Sequence, residues 1–275
     1  MSEKKAEMSQ AIKEKLAPKN FIKNPIKGTK FTIMVSSAKG GVGKSTFAVN
    51  LAFTLKLLGK KVGLLDADIY GPSLPKLINE NKKPENKDGK YIVPIDSHGV
   101  QCMSMGFLVE ETTPMIWRGP MVISAIKTLT ERVLWKELDI IVIDMPPGTG
   151  DTQLTFAQDI KVDGAIIIST PQDIALLDVK RGIQMFDKTK INIFGLVDNM
   201  SFFKADDGKN YNIFGEGGVE KTAKEFNKDF LGKIPLHQDL RISADKGSPL
   251  TLSNPNHEVS LVFKGIAEKI LQKLN

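Results

Sequence analysis

The chain contains few of the residues that mark several common protein classes. It has a single cysteine, which excludes an internal disulfide framework. Its three histidines, His98, His237 and His257, are scattered along the sequence and show no metal-ligand spacing. No apolar run approaches the ~18 residues of a membrane-spanning helix, and the N-terminus lacks the apolar segment of a secretory signal peptide. We therefore expect a cytoplasmic protein without a membrane span.

The net charge of +6 is concentrated at the N-terminus. Residues 1–30 hold eight lysines and three glutamates, so the rest of the chain carries a net charge of only +1. This balance gives little support to a nucleic-acid-binding face, and we expect no nucleic-acid partner. Pro25 and Gly28 favour a boundary near residue 29. We predict a lysine-rich arm at 1–29, solvated or in contact with an acidic partner, and one domain at 30–275.

Beyond this boundary, short apolar runs alternate with helical segments. Residues 45–58 have the pattern of a helix, which Gly59 closes at the expected capping position. Runs without polar alternation, separated by helices, indicate a mostly parallel sheet with helices on both faces, a doubly wound α/β fold. In such sheets ligands bind at the carboxyl ends of the strands. The predicted strands are 31–36, 62–66, 140–144, 165–169 and 193–197.

A glycine-rich loop follows the first predicted strand and opens the helix. Glycines let its N–H groups turn inward and approach phosphate oxygens closely. Lys44 is suited to the β- and γ-phosphates, and the Ser45 hydroxyl to Mg²⁺. A glycine turn that binds nothing is the alternative, which the flanking strand and helix disfavour. The predicted nucleotide-binding residues of this loop are Ala38, Lys39, Gly40, Gly41, Val42, Gly43, Lys44, Ser45 and Thr46.

Two later strands end in acidic residues at the same edge of the predicted sheet. Asp66 ends one of them and Asp68 follows two residues later, and Asp68 is our candidate for orienting a water in line with the γ-phosphate. Asp66 also suits a helix cap. Asp144 ends the other strand, where a carboxylate supports Mg²⁺ through its waters. Gly148 and Gly150 can hinge a loop that senses the γ-phosphate.

The glycine loop and several other segments together resemble a known family. Lys39 before Gly40 and Gly41 marks the deviant Walker A class, which includes nitrogenase iron protein, MinD, ParA and the Mrp-type iron–sulfur carriers. The resemblance to the Mrp branch covers about residues 30–275. It rests on the segments DADIYGPS, WRGPM (with Trp117), DMPPGTGD, NMS, IFGEGG and IPLHQDLR.

The resemblance implies a Mg²⁺-dependent ATPase that works as a homodimer in iron–sulfur cluster assembly or transfer. Lys39 matches the signature lysine that reaches the partner's nucleotide, and would neutralise transition-state charge as an arginine finger does. Asp68 and Asp144 match the two switch acids, and Asn199 matches the residue that hydrogen-bonds adenine. Lys39, Lys44 and Asp68 are thus the implied catalytic residues. Apo iron–sulfur proteins or an assembly scaffold are the implied partners.

Two other functions remain open. One is a MinD- or ParA-like dimer whose nucleotide state controls binding to a membrane, DNA or a protein surface. The apolar stripe at 263–274 fits such an element, although stripes of this kind more often pack on a core. The other is a nucleotide-gated scaffold with negligible turnover.

One departure from the family affects the cargo. Mrp-type carriers usually have a C-x-x-C motif between the NMS and IFG segments, whereas residues 202–212 contain no cysteine. Ordinary clusters need four thiolates, and a homodimer of this chain offers two. We interpret Cys102 as a small buried hydrophobe. Asp206 and Asp207 suit a solvated turn better than a cluster. A bound cluster is possible but has no evident ligands in the chain.

Overall fold

The computed structural model of the chain describes residues 23–109, 119–205 and 207–274. The predicted arm at 1–29 is therefore covered only from Lys23 onward. Trp117 and Asp206 lie outside the described residues. Within the described part, residues 23–28 contact the rest of the domain: Ile26 is buried, and the Lys23 Nζ donates to the Thr189 carbonyl at 2.8 Å. The division at residue 29 stays a prediction.

Eleven strands lie within the described ranges. They are β1 (Thr29–Ser36), β2 (Val62–Asp66), β3 (Asn86–Lys87), β4 (Tyr91–Ile92), β5 (Ile95–Ser97), β6 (Val100–Ser104), β7 (Leu138–Asp144), β8 (Gly164–Ser169), β9 (Ile193–Lys204), β10 (Asn210–Tyr211) and β11 (Phe230–Leu236). The five predicted strands are all present, and β9 runs on to Lys204, well past its predicted end.

Nine α-helices lie within the described ranges. They are α1 (Lys44–Leu57), α2 (Leu74–Leu77), α3 (Gly119–Glu131), α4 (Asp151–Asp159), α5 (Asp173–Thr189), α6 (Gly218–Glu225), α7 (Gln238–Asp245), α8 (Leu250–Ser253) and α9 (Glu258–Leu274). As predicted, Gly59 closes α1, with φ at 82° and its N–H bonded to the Lys56 carbonyl. Among these helices, none is long and apolar enough to cross a membrane.

The sheet is mostly parallel and has helices on both faces. Its strand order is β10-β9-β8-β1-β7-β2-β6-β5, with β11 also paired to β9. Only the edge strands β5 and β10 run antiparallel to their neighbours. Successive residues such as Ile33 and Met34 belong to different core clusters on opposite faces, which explains the uninterrupted apolar runs. The predicted doubly wound α/β fold is confirmed.

The C-terminal helix packs on the sheet. In α9, Phe263, Ile266, Ala267 and Ile270 are buried, and the Phe263 ring lies 5.5 Å from that of Phe47 in α1. The apolar stripe at 263–274 therefore contributes to the core, which removes the main sequence argument for a membrane-binding helix.

Candidate functional site

The predicted site residues converge at the carboxyl ends of three central strands. β1 leads into the glycine loop, and the parallel register places Val35 of β1 beside Asp144 of β7. The neighbouring pairing places Asp66 of β2 beside Asp144 in turn. Because parallel strands end at one edge of the sheet, the glycine loop and the acids share one cleft.

Two glycines of the loop have a conformation that other residues rarely adopt. Gly41 and Gly43 have φ angles of 81° and 82°. A Cβ on Gly43 would lie 2.3 Å from the Asn199 Nδ2, whereas a Cβ on Gly41 would meet nothing within 4 Å. Gly43 is therefore required both by its backbone angle and by the close approach of β9.

Asn199 connects β9 to the glycine loop. Its buried side-chain amide donates to the Val42 carbonyl at 2.8 Å. The structure thus brings Asn199 to the loop, as a nucleotide-binding residue requires. Its contact with adenine stays a prediction.

Lys44 forms a buried ion pair at the centre of the site. Its Nζ bonds to the Asp144 carboxylate and lies 3.2 Å from the Ser45 Oγ. The side chains of Lys44 and Asp144 are only 6% and 5% exposed. Each buried charge is therefore balanced by the opposite charge of the other. Lys44, Ser45 and Asp144 thus lie together, as phosphate and Mg²⁺ binding requires. Thr46, in the first turn of α1, is half-buried.

Asp66 supports the structure of the loop that follows β2. Its carboxylate accepts hydrogen bonds from the N–H groups of Asp68, Ser73 and Leu74 and from the Ser104 hydroxyl, at 2.9–3.1 Å. Burial and the nearby Asp144 raise the pKa of Asp66, whereas the hydrogen bond from the Leu74 N–H lowers it. The suggested capping role fits, because Asp66 accepts from the first residue of α2.

Asp68 is less buried than Asp66. Burial raises its pKa, Lys44 opposes the rise and Asp144 adds to it. One carboxylate oxygen accepts from the Gly71 N–H at 3.3 Å. A carboxylate with an elevated pKa, under the electrostatic influence of Lys44, suits a group that orients a water. That catalytic role stays a prediction.

The start of the glycine loop lies at the mouth of the cleft. Lys39 and Gly40 are exposed, and the Ser37 hydroxyl fixes the loop by donating to the Lys39 carbonyl at 2.9 Å. Ala38 faces α5. A Cβ added to Gly182 of that helix would lie 3.7 Å from the Cβ of Ala38. Lys39 is thus accessible to solvent, and its contact with a partner subunit stays a prediction.

The segment after β7 is tied to the glycine loop. Gly148 has a φ of 94°, and its N–H donates to the Ser37 carbonyl at 2.9 Å. Gln153, a residue that sequence reasoning missed, is buried in α4. Its amide bonds to the Pro146 carbonyl and accepts from the Ser36 hydroxyl at 3.3 Å. Gln153 therefore couples this segment to the end of β1.

Two of the histidines that are scattered along the sequence meet in the fold, which their spacing did not predict. The ring centroids of His237 and His257 lie only 4.7 Å apart. Asp239 lies beside them, with one carboxylate oxygen 3.2 Å from the His257 Nε2. The starts of α7 and α9 lie side by side and bring these residues together, which their spacing in the sequence does not reveal.

Cys102 does not fit a cluster ligand. It is fully buried in β6, and burial raises the pKa of its thiol, which opposes the thiolate that a cluster needs. The interpretation of Cys102 as a buried hydrophobe is confirmed. Asp207 forms a local turn, accepting from the Lys209 N–H at 2.9 Å. These residues do not fit an iron–sulfur cluster held by this chain alone.

The fold and site define a class of protein. A glycine loop lies between a parallel strand and a helix, and a buried lysine, a hydroxyl and a strand-end carboxylate meet beside it. This arrangement fits a nucleoside phosphate with Mg²⁺, and it is the site of a P-loop NTPase.

Comparison with known proteins gives the family. The family model described as "ParA: NUBPL iron-transfer P-loop NTPase" matches residues 28–271, and the chain belongs to this family. It is 48% identical over 251 residues to the iron-sulfur cluster carrier protein of Escherichia coli (strain K12), covering 90% of this chain and 68% of that protein. It is also 48% identical over 253 residues to the iron-sulfur cluster transfer protein NUBPL of Mus musculus, covering 91% and 79%.

A solved structure shows the same arrangement of elements. The nucleotide-binding protein of Archaeoglobus fulgidus, in complex with ADP, is 38% identical to this chain. The match has a TM-score of 0.71 and covers 81% of this chain and 88% of that protein.

Proposed function

We propose that this chain is a Mg²⁺-dependent ATPase that acts in iron–sulfur cluster assembly or in cluster transfer to apoproteins. The buried pair of Lys44 and Asp144 beside the glycine loop supports the ATPase most strongly. The role with iron–sulfur clusters is supported by the relatives that are named as cluster carrier and transfer proteins. ATP as the nucleotide follows from the predicted role of Asn199.

The site suggests how its residues act. When a triphosphate enters, Lys44 exchanges Asp144 for phosphate oxygens, which leaves Asp144 and Ser45 as the residues that would hold Mg²⁺ and its waters. When bound, the ion would neutralise charge on the phosphates. Asp68 orients the attacking water. Lys39 of one protomer adds its charge at the nucleotide of the other.

A homodimer agrees with the surface around the cleft. The Lys39 side chain is exposed at its mouth. At the start of α5, the helix that contacts Ala38, Ile174 and Leu177 are 62% and 61% exposed. Exposed apolar side chains on the helix that contacts Ala38 suit a face that a second copy covers.

The cargo is held with help from other proteins in this proposal. The chain has one cysteine, which is buried in β6, so thiolates of an apoprotein client or an assembly scaffold supply the cluster ligands. A protein with this cysteine content fits a reducing compartment, and we place it in the cytoplasm.

A transfer assay tests the proposal. A scaffold protein carrying a cluster is mixed anaerobically with an apo-ferredoxin, and the absorption of the ferredoxin cluster is followed with and without the chain and Mg–ATP. We expect faster transfer with the wild type and no acceleration with Lys44→Ala. Equal rates with and without the wild type would contradict the proposal. In parallel, ATP-dependent co-sedimentation with liposomes or DNA would favour a MinD- or ParA-like switch.

A further inference from the structure

Four polar side chains from the beginnings of two helices meet away from the nucleotide site. His237 immediately precedes α7, and Asp239 lies in its first turn. His257 immediately precedes α9, and Glu258 is its first residue. The two imidazole rings are nearly perpendicular, with an interplanar angle of 82°. These side chains project from the starts of the two helices, which lie side by side.

The distances between possible ligand atoms suit one metal ion. His257 Nε2 lies 3.2 Å from the Asp239 Oδ2, and His237 Nε2 lies 3.5 Å from the Glu258 Oε1. Metal–ligand bonds of about 2.0–2.2 Å place two ligands of a tetrahedral ion roughly 3.3–3.6 Å apart. Ligand atoms of His237, Asp239 and His257 all lie within 4.8 Å of one another. Small side-chain rotations therefore close this set around an ion.

We propose that His237, Asp239 and His257 bind one divalent first-row transition-metal ion, with the Glu258 carboxylate beside His237. Two imidazoles and a carboxylate suit Fe²⁺, Co²⁺ or Zn²⁺, whereas Mg²⁺ prefers an all-oxygen set. The carboxylates of Asp239 and Glu258 supply the negative charge that a cation needs next to two helix N-termini. The inference is independent of ATP hydrolysis and of cluster transfer.

Metal binding competes with the present hydrogen bonds of the histidines. The Nδ1 atoms of His237 and His257 accept from the N–H groups of Asp239 and Val259, each at 3.1 Å. Binding through Nε2 moves the ring proton to Nδ1, so the ion exchanges two capping hydrogen bonds for two metal–nitrogen bonds. Glu258 also pairs with Lys204 at 3.2 Å. His237, Asp239 and His257 therefore form the primary set.

The test is a Co²⁺ titration of the full, untagged and nucleotide-free chain in excess Mg²⁺, followed by visible absorption and by bound metal per chain after dialysis. An anaerobic Fe²⁺ titration repeats it with a second ion. The double variant His237→Asn with His257→Asn removes both imidazoles but keeps a favourable helix-capping side chain at each position. His98→Asn is the control, because His98 is exposed and has a φ of 49°, which asparagine tolerates.

We expect one ion per chain in the wild type and in His98→Asn, and affinity at least about tenfold lower in the double variant. Asp239→Asn is expected to weaken binding as well. Because it changes one half-exposed side chain, it tests the proposal even if the double variant misfolds. Equal Co²⁺ affinity in the wild type, in the double histidine variant and in Asp239→Asn would overturn the proposal. So would a wild type that binds no ion.

Discussion

Gly43→Ala tests two reasons for a glycine at this position, its positive φ and the close approach of Asn199. Its φ of 82° strains an alanine by about 1–2 kcal/mol. The new Cβ also displaces the Asn199 amide, which lies 2.3 Å from its position. Asn199 then loses its hydrogen bond to the Val42 carbonyl, a further loss of about 1 kcal/mol.

Gly59→Ala is a matched control for the strain. Gly59 also has a φ of 82°, but a Cβ there meets nothing within 4 Å. We expect Gly43→Ala to lower the free energy of unfolding by about 1 kcal/mol more than Gly59→Ala does, which corresponds to roughly 2–4 °C in melting temperature. Urea unfolding and thermal melts of both variants measure this difference.

A double-mutant cycle locates its origin. A protein that already carries Asn199→Ala lacks the amide with which the new Cβ clashes. In that protein, Gly43→Ala is expected to lower the free energy of unfolding no more than Gly59→Ala does. An undiminished cost of Gly43→Ala in that background, or equal costs of the two glycine variants in the wild type, would refute the role of the Asn199 contact.

Three further predictions concern charged residues. Lys39→Ala is expected to bind ATP normally but to hydrolyse it at least about a hundredfold more slowly, and unchanged phosphate release would exclude the action of Lys39 across a dimer. Asp68→Asn is expected to slow hydrolysis while its thermal melt stays close to that of the wild type; full activity would remove Asp68 from the mechanism. Asp198, in β9, is buried and its carboxylate has no hydrogen-bond partner among the described residues, so burial raises its pKa to about 7. Since the unfolded chain releases this proton near pH 4, Asp198 is expected to contribute a loss of stability as the pH rises from about 4 to 7. Asp66, whose pKa is also raised, contributes in the same direction. Asp198→Asn is therefore expected to reduce the loss of stability over this range, and parallel pH profiles of the two proteins would contradict the assignment.

The sequence was sufficient for the fold and for the centre of the site because both follow from local patterns. A sheet covered on two faces produces apolar runs such as Val62–Asp66, whose final acid lies at the ligand-binding edge. The angles of Gly41 and Gly43 agree with a loop that needs residues without a Cβ. Gly59 marked the end of α1 by the same argument.

The remaining contacts depend on packing between distant segments. Gln153 is an ordinary helical glutamine in the sequence, and only the fold brings its amide to Ser36 and Pro146. The rings of His237 and His257 meet because α7 and α9 begin side by side. Asp198 directly follows the predicted strand at 193–197, and the sequence does not show whether a partner reaches its carboxylate.

Phosphate release from Mg–ATP, measured beside nucleotide binding, tests the central claim most directly. The wild type is compared with Lys44→Ala, which removes the lysine that the glycine loop presents to the phosphates. The account predicts Mg²⁺-dependent release of phosphate by the wild type, and loss of both ATP binding and turnover in a variant that is still folded by circular dichroism. Normal ATP affinity in folded Lys44→Ala, or a wild type that binds Mg–ATP without releasing phosphate, would contradict it.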